Sequence, residues 1–144
     1  IGGDGERVTL RLVAQYADES NLSSGAASDI PRKLEALAEH CERLGRDRSE
    51  IKVTKLTMAC IAPTMEQAEA DLAELGAIKG FSPEVQEMVK GIVIFGDPDT
   101  VGEQLSAMMA TGIDGLTINL AVNGHHTDRI GLLGEVARKA MGDA

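Results

Sequence analysis

Tryptophan is absent from this 144-residue chain, and Tyr16, Phe81 and Phe95 are its only aromatic residues. A surface that stacks single-stranded bases needs several exposed rings, so that class of partner is excluded. Positive charge is also scarce. The chain has 14 Lys and Arg against 23 Asp and Glu, a net charge of −9, and no stripe of basic residues along any expected helix. Duplex nucleic acid and anionic membrane surfaces both require such charge, and neither is an expected partner. No apolar run approaches the roughly 20 residues of a membrane span. Cysteine is limited to Cys41 and Cys60, with no CxxC pair. Both read as reduced packing residues, in keeping with a cytoplasmic location. An initiator methionine is missing too: Ile1-Gly2-Gly3 reads as a strand end running into its loop, which suggests a fragment.

What is present is an alternating α/β pattern. With hydrophobic residues at 43%, the length suits one core, and residues 1–144 are expected to form one domain. Apolar spacing predicts a helix from Gly5 to Tyr16, then a short strand from Ala17 to Leu22 and a polar loop, SSGAASD. Ser28 or Asp29 can cap the next helix, with Pro31 in its first turn, Leu34, Leu37, Ala38, Cys41 and Leu44 on one face, and Gly45 as its stop. IKVTKLTMACIA, apolar without clean alternation, predicts a strand covered on both faces. Thr64 with Gln67 forms a capping box for a helix ending at Gly76, and Ser82 and Pro83 open another that ends at Gly91. After IVIFG, Asp97 caps a helix carrying Val101, Leu105 and Met108; GIDGLTINLAV predicts a strand, and Thr127 to Met141 the closing helix. Separations this long between strands imply crossovers and a parallel sheet, in either a closed barrel or an open doubly wound sheet.

Candidate functional residues are few. Gly2, Gly3 and Gly5, with Asp4 between them, precede a helix, and a turn of that kind presents backbone N–H groups that attract anions; equally, it can be a tight turn without a ligand. Arg7 and Arg11, one helical turn apart, either assist a phosphate or form a solvated face. Asn119 and Asn123 flank the end of the last strand and either line a pocket or cap a loop. His125, His126 and Asp128 are too close in sequence to arrange a tetrahedral site by themselves, so no metal is expected. His40 and Cys41 are adjacent on a helix, which does not oppose them as a nucleophile and its base.

In order along the chain, IGGDGERVTLRLVAQYAD, HCERLGRDRSEI, GDPDTVGEQL and GIDGLTINL resemble successive landmarks in the carboxyl-terminal half of luciferase-like oxidoreductases. The resemblance is nearest to the branch that uses the deazaflavin coenzyme F-420; FMN is the alternative cofactor. It implies half of a (β/α)8 TIM-type barrel, with this chain supplying roughly strands five to eight and the loops after Ile1, Leu22, Ala62 and Leu120 facing the cofactor. It also implies that Gly2, Gly3, Asp4, Gly5 and Arg7 surround the cofactor phosphate. The parent reaction would pass a hydride to or from a small organic substrate, with the catalytic residues upstream of this chain. The sequence departs from the family at two points. Asp4 replaces a small neutral residue, so it should either turn away as a helix cap or weaken phosphate binding. Ala17-Asp18-Glu19-Ser20-Asn21 replaces ADGWN, which removes an aromatic wall. Half a barrel leaves open sheet edges, so another copy of the chain or the missing amino-terminal half is the expected partner, and a noncatalytic half-barrel that dimerises and at most binds a phosphate-bearing ligand is the alternative function.

Overall fold

A computed structural model describes residues 1–23 and 26–142, so Ser24 and Gly25 of the SSGAASD loop lie outside the described residues. The chain divides into two compact units, Ile1–Leu56 with Met108–Thr117, and Thr57–Ala107 with Ile118–Ala144. The strands are parallel and linked by helices, the α/β pattern expected.

In the first unit the chain enters as a strand stub. Asn21 donates its N–H to the Ile1 carbonyl at 2.9 Å, and Gly3 donates to the Asn21 carbonyl at 2.9 Å. A turn leads to α1 (Thr9–Tyr16), β1 (Glu19–Leu22), α2 (Ile30–Leu44) and the start of β2 (Lys52–Ile61). β1 runs parallel to β2, from Glu19 beside Lys52 to Leu22 beside Lys55. The apolar spacing in α1 and α2 explains the core: Leu10, Val13 and Ala14 meet Ile30, Leu37 and Cys41, with Leu22, Ile51, Val53 and Ile113. Gly45 ends α2 as expected, donating its N–H to the Cys41 and Glu42 carbonyls. Three boundaries differ from the sequence reading. The first helix starts at Thr9 rather than Gly5, because residues 6–8 form a turn that Leu10 closes by donating to the Gly5 carbonyl. The first strand starts at Glu19 rather than Ala17. Asp29 ends a short 3-10 turn, Ala27–Asp29, and its side chain makes no capping bond.

The second unit holds the rest of β2, then α3 (Met65–Lys79), α4 (Pro83–Ile92), β3 (Ile94–Gly96), most of α5 (Pro98–Met109), the end of β4 (Gly115–Asn119) and α6 (Thr127–Met141). Its core joins Cys60, Ala62, Ala68, Leu72 and Val122. Caps follow the sequence: the Thr64 hydroxyl accepts from the Gln67 N–H, the Ser82 hydroxyl from Val85, and the Asp97 carboxylate from Thr100. Gly76, however, does not stop α3. It is a buried contact with α4, where a Cβ would stand 2.6 Å from the Gln86 side-chain nitrogen, and the helix continues to Lys79. β3, three residues pairing Ala59–Ile61, is a strand that the sequence reading does not assign; Ile94 and Phe95 favour strands, but the run is too short to display a period. β4 is shorter than the expected GIDGLTINLAV run. Coverage of β2 on both faces holds for Val53–Lys55 and Ala59–Ile61 but not for its middle, where Leu56 is 37% exposed and Thr57 and Met58 are half-buried.

Gly3 has φ of +110°, and a Cβ there would stand 3.3 Å from Thr9 Cγ2. An L side chain is strained in that conformation whether or not a ligand is present. Gly3→Ala should therefore lower stability by about 1–3 kcal/mol in ligand-free urea unfolding.

Candidate functional site

Gly2 forms the strand stub, bridged to Asn21, and Gly3, Asp4, Gly5 and Arg7 follow it ahead of α1. Sheet pairing uses the Gly3 N–H, so that donor is not aimed at an anion. Asp4 is turned inward, towards α2. Its carboxylate takes a hydrogen bond of 2.8 Å from Lys33 Nζ, with the two side chains 13% and 10% exposed. The same amine reaches the Asp4 carbonyl at 3.3 Å. The expected alternatives for Asp4 are a helix cap or weaker phosphate binding; the structure shows its carboxylate paired with Lys33. The turn is fastened to α2 at two further points, where Arg32 pairs with Glu6 and His40 Nε2 lies 2.7 Å from the Glu6 carbonyl. His40 thus serves the turn rather than Cys41.

A second buried amine accompanies the pair. Lys55, on β2, donates to the Leu56 carbonyl at 3.1 Å and is 6% exposed. Burial pushes its pKa below the ordinary lysine value; the Asp4 carboxylate opposes that shift and the Lys33 charge adds to it. Lys33 is paired with Asp4, and Lys55 feels the charge of both. Arg7 and Arg11 are exposed and do not join this group. Sequence reasoning missed both lysines, although Lys55 carried a signal: a charge inside an otherwise apolar strand.

In the second unit, Asn123 is fully buried and acts as a latch. Its side-chain amide donates to the Ile61 carbonyl at 2.8 Å and to Asp71 Oδ2 at 2.7 Å, and Arg129 Nε donates to the same carboxylate oxygen at 3.0 Å. The segment after β4 is thereby held against the end of β2 and against α3. Burial pushes the Asp71 carboxyl up, but the bonds from Arg129 and Asn123 outweigh it and the net shift is downward. Asn119, exposed at the end of β4, stands apart from this group. Asp128 pairs with Arg129, while His125 and His126 face Glu74. Both cysteines are free and buried. Burial and then the Asp71 charge push the Cys60 thiol up to about 12, and burial raises Cys41 as well. Neither is a thiolate nucleophile at neutral pH. No described helix is long and apolar enough to cross a membrane.

No family model and no curated protein matches the sequence. Solved structures do match. DmoA from Hyphomicrobium sulfonivorans aligns with 99% of this chain and 42% of its own at a TM-score of 0.71 and 16% identity. An F420-dependent secondary alcohol dehydrogenase, solved with an F420-acetone adduct, aligns with 99% of this chain and 48% of its own at 0.71 and 19% identity. The F420-dependent tetrahydromethanopterin reductase from Methanopyrus kandleri aligns with 83% of this chain at 0.59 and 17% identity. These are luciferase-like barrel folds, and the chain has the fold of a part of one, spanning less than half of each.

The buried charges generate two expectations. Lys55→Met removes an amine whose burial is only partly compensated, so it should stabilise the chain by about 1 kcal/mol or more. In the folded state Lys55 loses its proton below the ordinary lysine value, so the unfolded chain binds more protons in that window and wild-type stability rises with pH there. Denaturant titrations as pH approaches the ordinary lysine value of about 10.4 from below should show that rise in wild type and its loss in the variant. Asp71→Asn should cost about 3 kcal/mol, the low end for breaking a buried pair, because Asp128 still faces Arg129. The depressed Asp71 pKa contributes stability above the ordinary carboxylate range, and that contribution is lost as pH falls through the folded value. Unfolding below about pH 4 should accordingly show a shallower acid limb in Asp71→Asn than in wild type.

Proposed function

We propose that this chain is part of a luciferase-like oxidoreductase whose complete form passes a hydride between a deazaflavin of the F-420 type, or FMN, and a small organic substrate. The observation that carries this reading is the fold likeness over 99% of the chain to a dehydrogenase solved with an F420-acetone adduct. A Baeyer-Villiger monooxygenase solved with FMN, matched over 95% of this chain at a TM-score of 0.66, keeps FMN as the second cofactor. The ring supplies the redox chemistry when bound. This chain's own contribution is binding and orientation: the glycine turn brings backbone close to the cofactor phosphate, and Lys33 and Lys55 supply the positive charge that Asp4 does not cancel. The partly open middle of β2 is covered by the rest of the barrel or by a second copy of the chain.

The test is a fluorescence titration of the chain with F-420, FMN and riboflavin, which lacks the phosphate. At least one phosphate-bearing cofactor should bind, riboflavin should bind roughly tenfold more weakly than FMN or worse, a loss of about 1.4 kcal/mol, and Lys55→Met should narrow that gap. Equal affinity for FMN and riboflavin would overturn the phosphate assignment, and absence of binding by all three would overturn the cofactor reading.

A further inference from the structure

Glu74 and the His125-His126 pair are 51 positions apart, yet their ligand atoms all lie within 4.8 Å of one another. His126 Nε2 stands 3.6 Å from Glu74 Oε2, and His125 Nε2 stands 3.9 Å from Glu74 Oε1. The two imidazoles sit with ring centroids 4.0 Å apart, tilted by 40°. These separations are too long for hydrogen bonds. We propose that the three side chains hold a divalent transition-metal ion of the zinc, cobalt or nickel class. This inference is independent of the oxidoreductase reading.

Three observations support it. First, His126 Nε2 is buried and has no hydrogen-bond partner among the described residues. A lone pair directed at a metal satisfies such a nitrogen, whereas leaving it unpaired has a desolvation cost. Second, the ligands are held by a rigid frame. Asp71 and Arg129 meet at 3.0 Å, Glu74 lies one helical turn beyond Asp71, and His126 lies one turn ahead of Arg129, so the buried bridge that joins the two segments also brings the ligands together. Third, the donor set suits the ion. Imidazole favours late first-row metals, and three protein ligands leave a fourth position for water.

Metal–ligand bonds of about 2.0–2.1 Å place tetrahedral ligand atoms roughly 3.3 Å apart. Side-chain rotation closes the difference, since His125 and Glu74 are about half exposed. The local charge is favourable: Glu74, Asp71 and Asp128 against Arg129 give −2 with both histidines neutral. The positive end of α6, which begins immediately after His126, acts against a cation and limits the affinity.

The test is a Co2+ titration of the untagged chain, read by visible absorption, with Zn2+ added in competition. One equivalent should bind with the intense bands of a four-coordinate site, and zinc should displace it. Glu74→Gln and His126→Ala should each weaken binding by about 100-fold or more, since even residues that only support a ligand cost 10- to 100-fold. His40→Ala, in the first unit, should leave binding unchanged. Unfolding midpoints of the variants check that each is folded, and any variant that is not is replaced by His125→Ala. A titration without a cobalt spectrum, or one equally strong in the Glu74 and His126 variants, would overturn the site.

Discussion

Asp71 and Arg129 lie 58 positions apart, and each side chain is 10% exposed where they meet. A charge withdrawn from water to that degree is stable only beside its opposite, so once α3 and α6 bury these groups the two segments have to keep them together. Much of the second unit's local order follows. Asn123 is drawn into the same carboxylate oxygen, its amide also ties down the Ile61 carbonyl, and the approach of α6 delivers the histidines to Glu74. Lys33 and Asp4 apply the same constraint in the first unit, where the pair fixes the path of the glycine turn across α2.

That pairing changes what the glycines mean. A GGxG turn ahead of a helix invites an anion, but Gly3 has a conformational reason of its own to be glycine, and sheet pairing occupies its N–H. In the proposed reading, any charge that would draw an anion to this turn comes from Lys33 and Lys55 rather than from the Gly3 N–H. Asp4, which looked like an obstacle to phosphate, instead pairs with Lys33 and opposes the effect of burial on Lys55.

The cysteines show how far burial can be inferred. Cys41 falls on the apolar face of a helix and Cys60 in an apolar strand, and both are free, buried and raised in pKa. Their inertness was legible because it depends on local period and on apolar neighbours. Glu74 was not legible as a partner of His125 and His126, since nothing in the spacing of a helical glutamate tells which distant loop will arrive beside it.

The sequence by itself determined the alternation of strands and helices, the burial of Leu37 and Cys41 on α2, the caps at Thr64, Ser82 and Asp97, and the span of α6 from Thr127 to Met141. These depend on period, capping chemistry and backbone preference, all of which act over a few residues. Only the tertiary structure decided that Gly76 lies inside α3 and meets the Gln86 side chain of the next helix, the helix ending instead at Gly80 with φ of +69°. It likewise decided that Ile94–Gly96 forms a strand, that Asp4 meets Lys33, and that Asn123 meets Asp71. Each of those outcomes depends on which distant group arrives to satisfy a hydrogen bond or a buried charge, and a contact across 29 or 52 positions leaves no periodic trace in either segment.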